Sequence, residues 1–107
     1  MIRKRIAAAI ALYAFASVLH AQNPFTGDPK AVRAGAKLFA RSCAPCHGPA
    51  REGTEKAPSL LRPEIISADD KYLFAILRNG VRRTAMPSFA QLPEQQRWQI
   101  IAYLKTP

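Results

Sequence analysis

The sequence is poor in the residues that stabilise small proteins through disulfides or bound metals. Its 107 residues include only two cysteines, two histidines, two methionines and one tryptophan. Both cysteines, Cys43 and Cys46, lie in one short motif, so no structural disulfide is available. A structural zinc site with four ligands would need more cysteine or histidine than the chain supplies.

The sequence also lacks an apolar run long enough to cross a membrane. The uncharged stretch from Ile6 to Leu19 has 14 residues, whereas a transmembrane helix needs about 20. It follows the basic cluster Arg3–Arg5, a pattern typical of a secretory leader. We expect residues 1–21 to be a signal peptide cleaved after Ala21, with cleavage after residues 14–16 or an uncleaved amphipathic anchor as alternatives.

No segment alternates apolar and polar residues as a strand would, and the chain has no internal repeat or low-complexity tract. Three segments instead have helical periodicity. The first begins with Asp28 as N-cap and ends near Arg41; the second runs from the Ser67–Asp70 cap to a stop at Asn79–Gly80; the third runs from Pro93 to about Lys105. We predict a flexible segment at residues 22–27 and one all-α domain of three to four short helices at residues 28–107.

The motif Cys43-Ala44-Pro45-Cys46-His47 carries the strongest chemical signal. Two thiols three positions apart can bond to the two vinyl groups of one haem, and the adjacent imidazole can ligate the iron. A thioredoxin-like thiol pair would need a βαβ context, and half of a zinc site would need more ligands. We therefore predict one covalently bound haem c, attached at Cys43 and Cys46, with His47 as an axial ligand.

Few residues of the chain could be the second axial ligand of the iron. After residues 1–21, His47 is the only histidine and Met86 the only methionine. Ligation by two histidines of the chain is then impossible, which leaves Met86, a lysine or an open position. Pro87 stiffens the chain just after the thioether. We predict Met86 as the ligand; the alternative is a methionine that only packs in the core.

Other residues are predicted from the needs of such a site. The carbonyl of Pro58 is our candidate acceptor for the His47 Nδ1 hydrogen, because metal-bound imidazoles need such a partner. Gly35 lies inside a helix, where glycine costs about 1 kcal/mol relative to alanine. We expect it to allow close packing of another helix, with Tyr103 as the contact. The remaining predicted pocket residues are Pro58, Leu60, Tyr72, Leu73, Leu77, Pro87 and Phe89.

The charge points to acidic protein partners. The formal charge is +9, and it falls by three to +6 if residues 1–21 are removed. A basic exported protein can be steered towards acidic docking faces of redox partners. The cationic residues are scattered from Lys30 to Lys105 without a nucleic-acid-binding motif, so we predict no nucleic-acid partner.

Taken together, these motifs resemble those of bacterial class I cytochromes c over nearly all of residues 28–105. The matching positions are Gly35, Phe39, Cys43, Cys46, His47, Pro58, Leu60, Gly80, Met86, Pro87, Phe89 and the segment 98–104. The resemblance implies the all-α cytochrome c fold, with the first and last helices crossing at Gly35 and Tyr103. The family's tryptophan donor to a haem propionate has no clear counterpart, and Arg51 or Arg62 is the expected substitute.

The resemblance also implies a function as a periplasmic one-electron carrier that is not an enzyme by itself. Such a carrier moves electrons from a dehydrogenase or reductase to a terminal oxidase or other acceptor. Such a chain is a monomer or a subunit of an electron-transfer complex, without stable membrane insertion. The alternatives are a haem-based sensor or enzyme with a displaceable sixth ligand, and a dedicated cytochrome subunit of a periplasmic dehydrogenase complex.

The expected mature chain of about 86 residues has room for only a thin side-chain core. We predict that it is largely unfolded without haem, because the cofactor supplies the missing apolar surface. Circular dichroism of the apoprotein should show little helix and no cooperative melting. A native-like cooperative transition in the apoprotein would contradict the prediction.

Overall fold

The structure, a computed structural model, describes residues 22–107. This range contains five helices: α1 (Pro29–Ser42), α2 (Ala44–His47), α3 (Pro63–Ile66), α4 (Asp70–Asn79) and α5 (Glu94–Leu104). It contains no strand. The predicted all-α fold is confirmed, with α2 and α3 as additional single turns. The predicted signal peptide lies outside the described residues.

Local sequence explains where α1 begins. The Asp28 side chain accepts a hydrogen bond from the Lys30 amide at 3.0 Å, and Pro29 occupies the first turn. This start was predicted. The helix ends at Ser42, and the Cys43 amide still donates to the Phe39 carbonyl at 2.8 Å. The two cysteines therefore follow directly from the last turn of α1.

The starts of the other long helices differ from the prediction. Ser67 does not cap α4, because its hydroxyl donates to the Pro63 carbonyl at 2.6 Å and closes α3 instead. Asp69 is the residue before α4, in an extended conformation. Pro93 is likewise the residue before α5 and not its first helical residue. Among residues 22–107, no helix is both long enough and apolar enough to span a bilayer.

Helices α1 and α5 cross in close backbone contact. Gly35 is buried there, and a Cβ at this position would overlap the Gln99 carbonyl and lie 3.0 Å from the Tyr103 Cβ. The predicted role of Gly35 and its contact with Tyr103 are confirmed, although the backbone of Gln99 lies closer still. The rings of Phe39 and Tyr103 meet with centroids 5.4 Å apart.

The core lies between α1, α4 and α5. These helices contribute apolar side chains at helical spacing, as their periodicity predicted. The buried cluster consists of Leu38, Phe39, Cys43, Leu73, Leu77, Ile100, Ile101 and Leu104.

Asn23, in the segment before α1, contacts two other parts of the fold. Asn23 is only 6% exposed, and its Nδ2 donates to the Trp98 carbonyl at 2.9 Å. Its amide lies 3.4 Å from Oδ2 of Asp70, whose Oδ1 pairs with Lys105 Nζ at 2.8 Å. These contacts involve Asn23 alone, and the flexibility of residues 22–27 stays a prediction.

Gly35→Ala should destabilise the protein by about 1–3 kcal/mol, because α1 and α5 must separate to accommodate the methyl group. This loss outweighs the gain in helix propensity, which is about 1 kcal/mol. Urea unfolding of the haem-containing protein measures the change. Ala40→Gly, on the exposed face of the same helix, is the control and should cost only about 1 kcal/mol. A Gly35→Ala protein as stable as the wild type would contradict the close crossing.

Candidate functional site

A cavity of about 390 Å³ opens between the helical core and the two long loops. Its volume is in the range of small-molecule and cofactor pockets. Its walls are largely apolar, and the predicted site residues that line it are Cys43, Cys46, His47, Pro58, Leu60, Leu73, Leu77, Met86, Pro87 and Phe89. Residues that are far apart in the sequence thus converge on one pocket.

Tyr72 is the predicted pocket residue that lies elsewhere. Its side chain is 60% exposed and does not line the cavity. Successive residues of a helix point about 100° apart, and Leu73 is the residue that α4 turns inward. The structure therefore places Tyr72 away from this cavity, and its assignment to the haem pocket stays a prediction.

The cavity has further apolar walls that were not predicted as site residues. They are Phe39, Ile65, Ile76, Val81, Ile100 and Leu104. The spacing of four between Phe39 and Cys43, and between Ile100 and Leu104, was a readable signal for the helical ones. Ile65 and Val81 carried no such signal, because they reach the cavity only through the tertiary fold.

The single turn of α2 places the motif at the cavity. The amides of Cys46 and His47 donate to the Cys43 carbonyl at 3.2 and 2.9 Å, so all three side chains project from one tight turn. Cys43 is buried and Cys46 is exposed. This arrangement offers two sulfurs and one imidazole to the same pocket.

The environment of Cys43 differs from that of a catalytic thiol. Burial, with a smaller contribution from Cys46, raises the pKa of the Cys43 thiol to about 11. Reactive cysteines of redox pairs have lowered pKa values. A neutral thioether suits this position, because it leaves no charge to bury. Among residues 22–107, no group of three or more His, Cys, Asp or Glu side chains could hold a metal ion, which gives no support to the zinc alternative.

The imidazole of His47 has a fixed partner. Its Nδ1 lies 2.9 Å from the Pro58 carbonyl oxygen, the contact that the sequence predicted. A carbonyl only accepts, so Nδ1 carries the hydrogen and Nε2 is the nitrogen available to a metal. Gly53, at φ 88°, allows this approach, because a Cβ there would lie 2.5 Å from the Ser59 nitrogen.

Met86 is presented by a loop that is anchored at both ends. The Val81 amide donates to the Met86 carbonyl at 3.2 Å, and the Phe89 amide donates to the Leu77 carbonyl at 2.7 Å. Gly80, at φ 69°, lies against this turn, where a Cβ would come within 2.8 Å of the Met86 carbonyl. These backbone contacts hold the half-buried thioether at the cavity that His47 also lines.

The two arginines considered as donors to a haem propionate lie in different places. Arg62 lines the cavity. Arg51 does not, because its Nη1 donates to the Tyr103 and Thr106 carbonyls at 3.0 and 2.9 Å. Of the two, only Arg62 is placed to meet an acidic group of a ligand in the cavity.

The residues present fit a covalently attached haem. Two sulfurs, an imidazole with a free Nε2 and a thioether line one largely apolar cavity. These are the groups by which c-type haem is attached and ligated.

Comparison with known proteins agrees with this fit. A family model described as "Cytochrome C oxidase, cbb3-type, subunit III" matches residues 30–104. Among solved structures, cytochrome CL from the marine methylotrophic bacterium Methylophaga aminisulfidivorans MPT is similar, with a TM-score of 0.70 and 28% identity. The match covers 83% of this chain but 61% of that one. No curated protein sequence matches the chain.

The helical fold around an apolar cavity with a Cys-x-x-Cys-His turn defines a c-type cytochrome. More narrowly, the chain belongs to the cytochrome c family whose model carries the cbb3-type subunit III description. Covalently bound haem c is the cofactor that this family and the match to cytochrome CL imply.

Cys46→Ser should leave at most one thioether bond, at Cys43. One vinyl group of the haem should then stay unreacted, so the α band of the pyridine haemochrome should lie at longer wavelength than in the wild type. Haemochrome spectra measure the band, and intact mass measures the attached haem. Ser42→Ala, also at the cavity wall, is the control and should keep the wild-type spectrum. A wild-type haemochrome spectrum in Cys46→Ser would remove Cys46 from the attachment site.

Proposed function

We propose that the protein is a periplasmic one-electron carrier whose haem c is attached at Cys43 and Cys46 and ligated by His47 and Met86. The observation that carries the proposal is the shared cavity. An imidazole oriented by the Pro58 carbonyl and a thioether on a fixed loop both line it, beside the two cysteines.

Bound haem supplies reversible one-electron oxidation and reduction of its iron. Each part of the site has a role in confining the chemistry to electron transfer. His47 donates through Nε2 while its Nδ1 is held by Pro58. The Met86 thioether would hold the iron together with His47, and thioether ligation would favour the reduced state. The apolar walls keep water away, and residues 22–107 contain no second histidine to act as a proton donor or acceptor in peroxidase-type chemistry.

The proposed location rests on the segment outside the described residues. The basic cluster at residues 3–5 and the apolar stretch after it are typical of a signal peptide. Attachment of haem to two cysteines also agrees with an exported protein that uses no disulfide. The periplasm is the compartment that suits both features.

The cavity mouth is the proposed docking surface for redox partners. Lys56, Arg62 and Val81 line it, and the exposed Arg82 and Arg83 follow directly. No acidic side chain pairs with these cations, since Lys105–Asp70 is the one ion pair among residues 22–107. An acidic partner face complements such a surface, and close approach at the mouth shortens the path for an electron.

The partners themselves are proposed by class. The matched family is described as a subunit of cytochrome c oxidase, which supports a terminal oxidase as the acceptor, with a dehydrogenase or reductase as the donor. A freely diffusing carrier sediments as a monomer and purifies alone. Stable co-purification with one large oxidoreductase would instead make the chain a dedicated subunit.

Met86→Leu and Met86→Ala test the axial ligand. Both substitutions remove the sulfur, so the reduction potential should fall by on the order of 0.1 V, within the roughly 0.8 V range that axial ligands span. The reduced variants should also bind carbon monoxide rapidly at neutral pH. Potentiometric titration and optical spectra measure both effects.

Leucine is the matched control for volume, because it fills the space of methionine without a sulfur. If Met86 only packs in the core, Met86→Leu should retain the wild-type potential and spectrum. Rapid carbon monoxide binding by the wild type would favour a sensor or enzyme instead.

Arg82→Ala combined with Arg83→Ala should slow electron transfer with an acidic partner protein by a factor of about 3 to 10 at low ionic strength, a share of the 10- to 1,000-fold that electrostatic steering contributes. The difference should shrink as salt is added. Stopped-flow kinetics over a salt series measures the rates. The control is Arg33→Ala combined with Lys37→Ala. These two residues lie on the exposed face of α1, so the variant removes the same charge at a distance from the cavity. If that control slows transfer equally, the mouth is not the docking surface.

A further inference from the structure

Arg51 connects the loop beneath His47 to the end of α5. Its Nη1 donates to the carbonyl oxygens of Tyr103 and Thr106 at 3.0 and 2.9 Å. Its guanidinium carbon lies 4.4 Å from the centroid of the Tyr103 ring. A cation is favoured at this helix end, where the carbonyl dipoles point outward, and the planar guanidinium both stacks and donates. The side chain is therefore tied to α5 by three contacts.

The backbone of Arg51 is equally constrained. Its φ of 65° is in the left-handed region, which a residue with a side chain keeps only when its surroundings hold it there. Its carbonyl accepts hydrogen bonds from the Leu60 amide at 2.9 Å and the Ser59 hydroxyl at 3.2 Å. Arg51 thus holds the two residues that follow Pro58.

The contacts of Arg51 are linked to the imidazole of His47 through Ser59 and Pro58. Ser59 directly follows Pro58, whose carbonyl oxygen lies 2.9 Å from His47 Nδ1. We propose that Arg51 is a positioning residue for His47: by tying the Ser59–Leu60 segment to the end of α5, it holds the Pro58 carbonyl at its distance from the imidazole. The inference rests on the proposed function, in which His47 is the axial ligand.

We expect this positioning to affect the basicity of the imidazole and, through it, the reduction potential. An imidazole whose Nδ1 donates to a carbonyl is a more basic ligand and keeps its orientation. A more basic ligand favours the oxidised metal. Weakening this hydrogen bond should therefore raise the reduction potential, which is the opposite direction to the loss of Met86.

Arg51→Ala in the haem-containing protein tests the inference. The His47 Nδ1 proton should exchange with solvent at least about tenfold faster, as expected for a lost hydrogen bond to a metal-bound group. The reduction potential should rise. Proton NMR measures the exchange, and potentiometric titration measures the potential. Arg51→Lys keeps the charge but not the planar fork, and should shift both quantities in the same direction by less.

Lys105→Ala is the matched control. Lys105 also ties the end of α5 to another segment, through Ala68 and Asp70, but it does not contact the loop of His47. This variant should lower the melting temperature while leaving the Nδ1 exchange and the potential unchanged. If it shifts them as Arg51→Ala does, general destabilisation explains the effect and the inference is overturned.

Wild-type exchange and potential in Arg51→Ala would also overturn the inference. Should Arg51→Ala fail to yield haem-containing protein, Arg51→Lys decides alone, and wild-type values in it would count against a positioning role. Failure of the proposed function is seen separately in the oxidised wild type. There, a His47 ring without a paramagnetic shift would show that it does not bind iron.

Discussion

The close crossing of α1 and α5 at Gly35 is the constraint on which the site depends. Because Gly35 has no side chain, α1 lies directly on the backbone of α5 at Gln99. This contact brings Phe39, in the last turn of α1, and Cys43, directly after it, next to Ile100 of α5. All three of these side chains line the cavity. A wider separation of the helices would open this wall, so the close crossing at Gly35 supports one side of the pocket.

Two loops then supply the polar chemistry in different ways. The imidazole of His47 is oriented by a hydrogen bond to the Pro58 carbonyl. A thioether has no strong hydrogen-bonding group, so Met86 is placed by its backbone, with Gly80 packed closely beneath it. Both loops are tied to helices that belong to the core, one through Arg51 to α5 and the other through Phe89 to α4. A site built on such supports needs little rearrangement when its charge changes, which suits electron transfer.

The distribution of charge separates stability from recognition. Asp70 and Lys105 form a partly buried pair that joins α4 to the end of α5 and also contacts the segment before α1. The cations around the cavity mouth have no such acidic partners within residues 22–107. They add little to folding, and under the proposed function they would steer an acidic surface of a redox partner, as in complexes that form and separate quickly with small interfaces.

The chain's local chemistry was readable from sequence, because each signal depends on residues a few positions apart. The Cys43–His47 motif, the Asp28 cap and the stop at Gly80 are of this kind, and Met86 was predicted as a ligand from the scarcity of other candidates. Even the contact between His47 and Pro58 followed from what a ligating imidazole needs. The surroundings of Asn23, Ser67 and Tyr72 were not readable in this way, since burial or bonding there depended on how each helix began and turned. Only the tertiary structure could decide that Arg51 serves α5 and not the cavity, because its partners lie about fifty residues further along the chain and meet it only once α1 and α5 have packed.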